Sequence, residues 1–391
     1  MKFLTKEELT SKVAVVIGTR PGIIMFSPII RALSENGIDF FSIHSGQHYS
    51  YNMDKILFEQ LEIPKPRHYL QGIYAKKLHG AQTAAMLEGI EAVLIKEKPA
   101  MVLVGGDANT NLAGALAARK LHIAVGHVEA GERSYDWRMP EEHNRRIIDH
   151  ISEYLFTTND KGRQNLLKEN VMGKIFITGN TIVDAAIQNI EFAHKTSLVC
   201  QKNGLKEQEY LVLTTHREEN VDSRENLIAI LEAMAQIHQE TAMPIFFPAH
   251  PRTLNRLERF GLDKKARAVR GLIISEALGY LDFLKLLYGA HLVLTDSGGV
   301  QQEACILKVP CVTLRDNTEW TETLAIGANI LAGLDRAKIS KSVQQMLTRV
   351  PDWETPFGDG TAARQIVRII EAEELRKAPD LEPSDSLAGQ C

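Results

Sequence analysis

Short apolar runs alternate with helix-period segments along this chain, and the alternation begins twice. In the first pass, 12–18, 39–44, 101–105, 123–128, 154–158 and 174–179 read as strands. Between them, 23–36, 83–98, 111–121, 141–152 and 161–170 carry helical periodicity. The pattern restarts with strands at 210–215, 244–248, 272–275, 292–295, 310–314 and 329–331. Helices are predicted there at 224–238, 280–288, 298–307, 335–348 and 361–377. Such βαβα order predicts an α/β fold of two Rossmann-like, doubly wound domains. The first domain is expected over 1–179, completed by the helix near 361–377, and the second over 180–360, with a cleft between them. The Pro-, Ser- and Asp-rich segment 378–391 reads as a disordered tail.

A chain of 391 residues has ample length for two cores. Its net charge of −4 gives no global attraction for nucleic acid or an anionic membrane, so neither is an expected partner. No run of 18 apolar residues marks a membrane span. The start, Met-Lys-Phe-Leu-Thr-Lys-Glu-Glu, is no signal peptide, so the cytoplasm is the expected compartment. Cys200, Cys305, Cys311 and Cys391 fit no CxxC spacing, and Cys305 and Cys311 read as small buried apolar residues.

In an open parallel sheet, ligands bind beyond the carboxyl ends of the strands. Acids cluster at such ends: Asp107 in Val-Gly-Gly-Asp, Glu129 in His-Val-Glu-Ala-Gly, and Glu141 with Glu142 in Pro-Glu-Glu-His-Asn-Arg. Each alone would serve as a helix cap or first-turn acid. Together Asp107, Glu129 and Glu141 are candidates for proton transfer and charge stabilisation. Glu142 is expected to pair with Arg145 or Arg146 one turn on. His216, in Thr-Thr-His-Arg-Glu-Glu-Asn, is a candidate acid or phosphate ligand. The scattered acids and the absence of paired His spacing place no metal. Neither half shows GxGxxG after its first strand, which counts against a nicotinamide or flavin.

In the second half, 292–303 reads as strand, small-residue turn and helix start, ending Asp-Ser-Gly-Gly-Val-Gln-Gln-Glu. Bare amides at a helix N-terminus make an anion site. Ser297, Gly298 and Gly299 would hold a diphosphate, and Glu303 would accept from a ribose diol. His250, in Pro-Ala-His-Pro-Arg, is a phosphate candidate or part of a solvated turn, and Arg315 stands after a strand near the same crevice. Arg20, in Gly-Thr-Arg-Pro, is a second diphosphate clamp or a surface arginine.

The chain resembles the non-hydrolysing UDP-N-acetylglucosamine 2-epimerases. The likeness runs through Gly18-Thr-Arg-Pro21, Ser45-Gly-Gln-His48, Gly106-Asp107, His127-Val-Glu-Ala-Gly131 and Pro140-Glu-Glu142 with Asn144-Arg145. It continues through Thr178-Gly-Asn-Thr181, His216-Arg217-Glu218, Asp296-Ser-Gly-Gly299 and Gly358-Asp-Gly360, covering about 12–370. The resemblance implies a glycosyltransferase-B-like fold, UDP on the second domain, and inversion at the sugar C2 without cofactor or obligate metal. It further implies that UDP leaves C1 as the C2 proton is removed, giving a 2-acetamidoglucal to which UDP returns. Asp107, Glu129 and Glu141 would carry the sugar chemistry, with His216 and Arg20 assisting the diphosphate. Gln47 and His48 match a loop that in some bacterial members binds a second, activating UDP-sugar. A homodimer and a cell-surface polysaccharide or antibiotic-sugar pathway are the implied setting.

Five residues depart from the pattern of that family: Gly22, Met25, Gly105, Ala108 and Glu132. All fall on the first-domain, sugar-facing side, and they remove a cation at Met25 and add an anion at Glu132. Four readings therefore stand beside plain epimerisation: a modified UDP-sugar, hydrolytic release of UDP and N-acetylmannosamine, and, outside the epimerases, a glycosyltransferase or a silent UDP-sugar-binding protein.

Overall fold

The computed structural model describes residues 12–47 and 51–373. His48 and the expected tail therefore lie outside the described residues. Strands β1 (Val13–Ile17), β2 (Phe40–His44), β3 (His68–Tyr69), β4 (Met101–Gly105), β5 (Ala124–Ala130), β6 (Tyr154–Thr157) and β7 (Lys174–Ile177) form one sheet in the order β3-β2-β1-β4-β5-β6-β7. Strands β8 (Leu211–Thr214), β9 (Ile245–Ala249), β10 (Leu272–Glu276), β11 (Leu292–Thr295), β12 (Cys311–Thr313) and β13 (Asn329–Leu331) form another, ordered β10-β9-β8-β11-β12-β13. Every pairing in both sheets is parallel. The chain is α/β, as expected from its pattern.

The residues through Ala185, joined by those from Phe357 on, make one compact unit, and Ala186–Pro356 make a second. The order reverses between β1 and β4 in the first unit and between β8 and β11 in the second. Each reversal opens a crevice beyond the strand ends. Arg20 and Asp107 follow the first pair of strands, and His216 and Ser297 follow the second.

Strands such as β1, β4 and β9 are buried along their whole length. Helices cover both faces of a parallel sheet, so its strands read as continuous apolar runs. The alanine-rich helix Asn109–Lys120 packs Ala113, Ala117 and Ala118 onto Val16, Val102, Val104 and Val125. Small side chains let that helix lie close to the sheet.

Several elements differ from the sequence expectation. The first helix spans Arg20–Glu35 and starts at the predicted turn, because Thr19 caps it by accepting from Gly22 N and Pro21 sits in its first turn. Inside it, Pro28 has no amide to offer the Ile24 carbonyl, and the Ser27 hydroxyl donates to that carbonyl instead at 2.9 Å. The helix Thr181–Thr196 was expected only as a boundary, and the helix Pro251–Arg259 only as a turn. Helix Tyr51–Gln60 and the two-residue β3 carry too little apolar pattern to stand out. Cys200, Cys305 and Cys311 are free and buried. Among the described residues, no helix is long and apolar enough to cross a membrane.

Candidate functional site

In the first unit a crevice of about 440 Å³ opens at the ends of β1 and β4, within the range of small-molecule sites. Gln47, Lys77, His79, Asp107, Asn109 and Glu141 are among the residues lining it. Asp107 leaves β4 through Gly106, whose φ of +76° favours glycine. The Gly106 N–H donates to the Val128 carbonyl at 3.0 Å, and Asn144 Nδ2 donates to the Asp107 carbonyl at 2.8 Å. Arg145 Nη2 holds the Asp107 carboxylate at 2.5 Å.

Glu129 has a φ of +68°, an uncommon conformation for a residue with a side chain. The register between β5 and β6 shifts there, between Val128 and Ala130. This bulge aims Glu129 toward Gly106: a Cβ placed on that glycine would lie 3.4 Å from Glu129 Oε2. Glu129 keeps some exposed surface, yet desolvation pushes its carboxyl up to about 8. The nearby Glu132 and Asp107 carboxylates add to the rise, and Arg145 opposes it. Glu132 itself accepts from the Thr158 hydroxyl at 2.5 Å.

Glu141 and Glu142 share a helix start but not an environment. Glu141 is half-buried on the crevice. Glu142 is fully buried and accepts from Ser134 N, the Ser134 hydroxyl, Arg145 and Arg146 at 2.8–3.2 Å. Burial would raise its carboxyl, but those donors hold it below the ordinary range. The expected pairing of Glu142 with the arginines is present, and Arg145 additionally reaches Asp107.

Two of the departures are packed against each other. A Cβ on Gly105 would lie 2.8 Å from Met25 Sδ and 2.8 Å from Phe26 Cε2, so the Met25 thioether fills the space that glycine leaves. Arg20 is half-buried and has no ion-pair partner among the described residues. The Gln47 carboxamide oxygen is occupied within the unit, accepting from Thr110 N at 2.8 Å and the Thr110 hydroxyl at 2.7 Å.

In the second unit Asp296, fully buried after β11, organises the turn that follows β8. It accepts from the Thr215 hydroxyl at 2.6 Å and from His216 N, Arg217 N and Asn220 Nδ2 at about 3.0 Å. Burial would raise its carboxyl, but His216, Thr215 and Arg217 hold it below the ordinary range. His216 Nδ1 lies 3.2 Å from Asp296, which leaves Nε2 for another partner. The His250 ring stands 5.5 Å from that of His216.

His250 is also an N-cap, its Nδ1 accepting from Arg252 N at 3.2 Å. That cap, with Pro251 in the first turn, turns the expected loop into a helix. Arg252 pairs with Asp222 and Glu218.

Ser297 caps the helix Gly298–Ile306, Gly299 faces open space, and Glu303 is half-buried one turn along. A Cβ on Gly298 would come within 2.3 Å of Glu319 Oε1. Glu319 also receives Arg315 at 2.8 Å and Arg217 at 3.3 Å. Arg315 is thus tied to a carboxylate beside the glycine turn. Sequence reasoning missed Arg217 and Glu319, and in the first unit Lys77, His79 and Asn109. Among the described residues, no group of three or more His, Cys, Asp or Glu could hold a metal ion.

A family profile for UDP-N-acetylglucosamine 2-epimerase matches residues 31–371. The UDP-N-acetylglucosamine 2-epimerase of Methanocaldococcus jannaschii is 51% identical over 362 residues, covering 92% of this chain and 98% of that protein. The crystal structure of Methanocaldococcus jannaschii UDP-GlcNAc 2-epimerase in complex with UDP-GlcNAc and UDP aligns with a TM-score of 0.81, over 93% of this chain and 100% of that one at 51% identity. The UDP-2,3-diacetamido-2,3-dideoxy-D-glucuronate 2-epimerase of Pseudomonas aeruginosa is 40% identical over 364 residues, covering 92% and 99% of the two chains.

Proposed function

This chain belongs to the UDP-N-acetylglucosamine 2-epimerase family, and we propose that it interconverts UDP-N-acetylglucosamine and UDP-N-acetylmannosamine by eliminating and restoring UDP. It is an isomerase acting at a sugar C2 centre. In the forward direction the C2 proton is removed, the C1–O bond breaks and UDP departs, leaving a 2-acetamidoglucal. A proton then enters C2 from the opposite face as the UDP oxygen rebinds C1.

Inversion of this kind needs one proton acceptor and one proton donor on the same sugar. Asp107 is held as an ion pair by Arg145, whereas Glu129, raised to about 8, carries its proton at neutral pH. That unequal pair is the observation that carries the reading. Glu141, on the crevice wall, stabilises oxocarbenium-like charge. In the second unit the amides from Ser297 to Gly299 receive the diphosphate and Glu303 the ribose, with His216, His250 and Arg315 supporting the leaving group. Arg20, half-buried at the start of its helix in the first unit, is a further anion-binding candidate of that unit.

The test is a proton NMR time course with UDP-N-acetylglucosamine in D2O. UDP-N-acetylmannosamine deuterated at C2 is expected. Free UDP with N-acetylmannosamine would move the enzyme to the hydrolysing branch. No change, with UDP binding confirmed, would overturn the reading.

The Met25–Gly105 packing favours a second reading, an epimerase of a modified UDP-sugar. Glu132 adds negative charge beside Glu129, so this wall disfavours a sugar bearing a carboxylate. Epimerisation of UDP-N-acetylglucosamine at ordinary rates in a competition assay would remove this second reading. The homodimer and the polysaccharide setting belong to the same proposal, and light scattering tests the first of them.

A further inference from the structure

We infer that Asp149, acting through His127, is the positioning residue that sets both Asp107 and Glu129. The inference rests on the reading of those two carboxylates as the proton-transfer pair. Asp149 is fully buried on the helix Pro140–Ile151, and His127 is fully buried on β5. Asp149 Oδ1 lies 2.7 Å from His127 Nδ1. Its Oδ2 accepts from Gly131 N at 3.2 Å and from Arg133 Nη1 at 2.8 Å.

His127 and Gly131 stand two residues on either side of Glu129. One carboxylate therefore grips both ends of the bulge that holds Glu129 at its uncommon φ of +68°. Such a backbone conformation persists only where its surroundings over-determine it.

The same contact chain reaches Asp107. His127 Nε2 lies 3.0 Å from the Gly106 carbonyl oxygen, which can only accept. A carbonyl only accepts, so His127 Nε2 donates to Gly106 while Nδ1 stays against the Asp149 carboxyl group, and the ring is held at both nitrogens. Gly106 is then held at both of its backbone groups, by His127 at its carbonyl and by Val128 at its N–H. Asp107 is the next residue.

Behind Asp149, the buried Arg133 bonds Glu169 at 2.7 Å, and Glu169 also takes Arg146 at 2.7 Å. Arg146 bonds Glu142 at 3.1 Å, and Glu142 bonds Arg145, the partner of Asp107. Carboxylates and cations alternate along this path. The charge on Asp149 is thus compensated without any group from the crevice.

The experiment compares Asp149→Asn and His127→Phe with Asp107→Asn and Glu129→Gln in the full-length protein. The carboxamide of Asp149→Asn turns a donor toward donors, and the ring of His127→Phe keeps the volume but loses both ring nitrogens. Turnover in either variant is expected to fall about 100-fold, the scale of a small misplacement of a reacting group. KM for the UDP-sugar and Kd for UDP should stay within about twofold, because uniform binding is untouched. The double variant should lose no more than either single one, since both break one path.

Turnover within about threefold of the parent in a folded Asp149→Asn or His127→Phe, with Asp107→Asn and Glu129→Gln inactive, would overturn the inference. Activity retained in Asp107→Asn and Glu129→Gln would instead remove the underlying reading, and the inference with it. The nitrogen-15 NMR spectrum of histidine-labelled parent protein gives a check that needs no variant. His127 Nε2 should carry hydrogen, and a bare Nε2 would sink the clamp.

Discussion

One guanidinium serves two carboxylates of opposite exposure: Arg145 lies 2.5 Å from Asp107, on the crevice, and 3.2 Å from Glu142, which is fully buried. The planar fork places Nη2 on one and Nη1 on the other, a spacing that the one nitrogen of an ammonium does not reproduce. Arg145→Lys is therefore expected to lower kcat by about 10- to 100-fold while Kd for UDP stays near the parent value. Steady-state kinetics beside calorimetric UDP titration checks this. A parallel loss of UDP affinity would contradict it.

The raised carboxyl of Glu129 gives a signed prediction against pH. Its folded value of about 8 stands above the ordinary 4.5, so the folded state holds a proton that the unfolded chain has lost. Stability contributed by this group therefore falls as pH rises between about 4.5 and about 8 and levels off above. Glu129→Gln should gain thermal stability relative to the parent at pH 9 more than at pH 5. Activity of the parent should decline as Glu129 ionises near pH 8. Melting curves at the two pH values decide the first claim and a kcat profile the second.

Asp296 accepts four hydrogen bonds from the turn that carries His216. Asp296→Asn would replace an acceptor with a donor among donors. We expect a loss of about 3 kcal/mol in unfolding free energy, the scale of a charge-assisted hydrogen bond. UDP affinity should fall with it. Denaturant melts and calorimetry measure both, and unchanged UDP affinity would detach His216 from the ligand.

A methyl group on Gly298 would meet the Glu319 carboxylate at 2.3 Å and displace it. Gly298→Ala should weaken UDP binding by about tenfold or more, since it intrudes where amides must approach an anion. Adding Glu319→Ala should recover part of that loss by clearing the 2.3 Å conflict. A double variant as weak as the single would show that the carboxylate is not the obstacle.

Much of this fold was legible because parallel strands buried on both faces leave unbroken apolar runs; the bounds 101–105, 280–288, 292–295 and 329–331 agree with the observed elements to the residue. Helix starts were less legible. At Thr19 and His250 the cap and the following proline resemble a turn until the hydrogen bond to the backbone is seen. Asp107, Glu129 and Glu141 could be picked out by type and place at strand ends. Their partners could not: Arg145 is 38 residues from Asp107, and Asp149 is 22 from His127. The bulge that turns Glu129 was equally hidden, because period-two spacing puts His127 and Glu129 on one face only in a regular strand.

Ser27 and Pro28 are coupled through one backbone carbonyl. The serine hydroxyl stands where the proline amide would be, so the Ile24 carbonyl is satisfied in the core only while one of the two supplies a donor. A residue with an amide at position 28 would restore the donor to that carbonyl and make the serine hydroxyl redundant there. Discarding the serine while the proline stays strands a buried acceptor. What position 27 tolerates on this helix therefore depends on what stands at position 28.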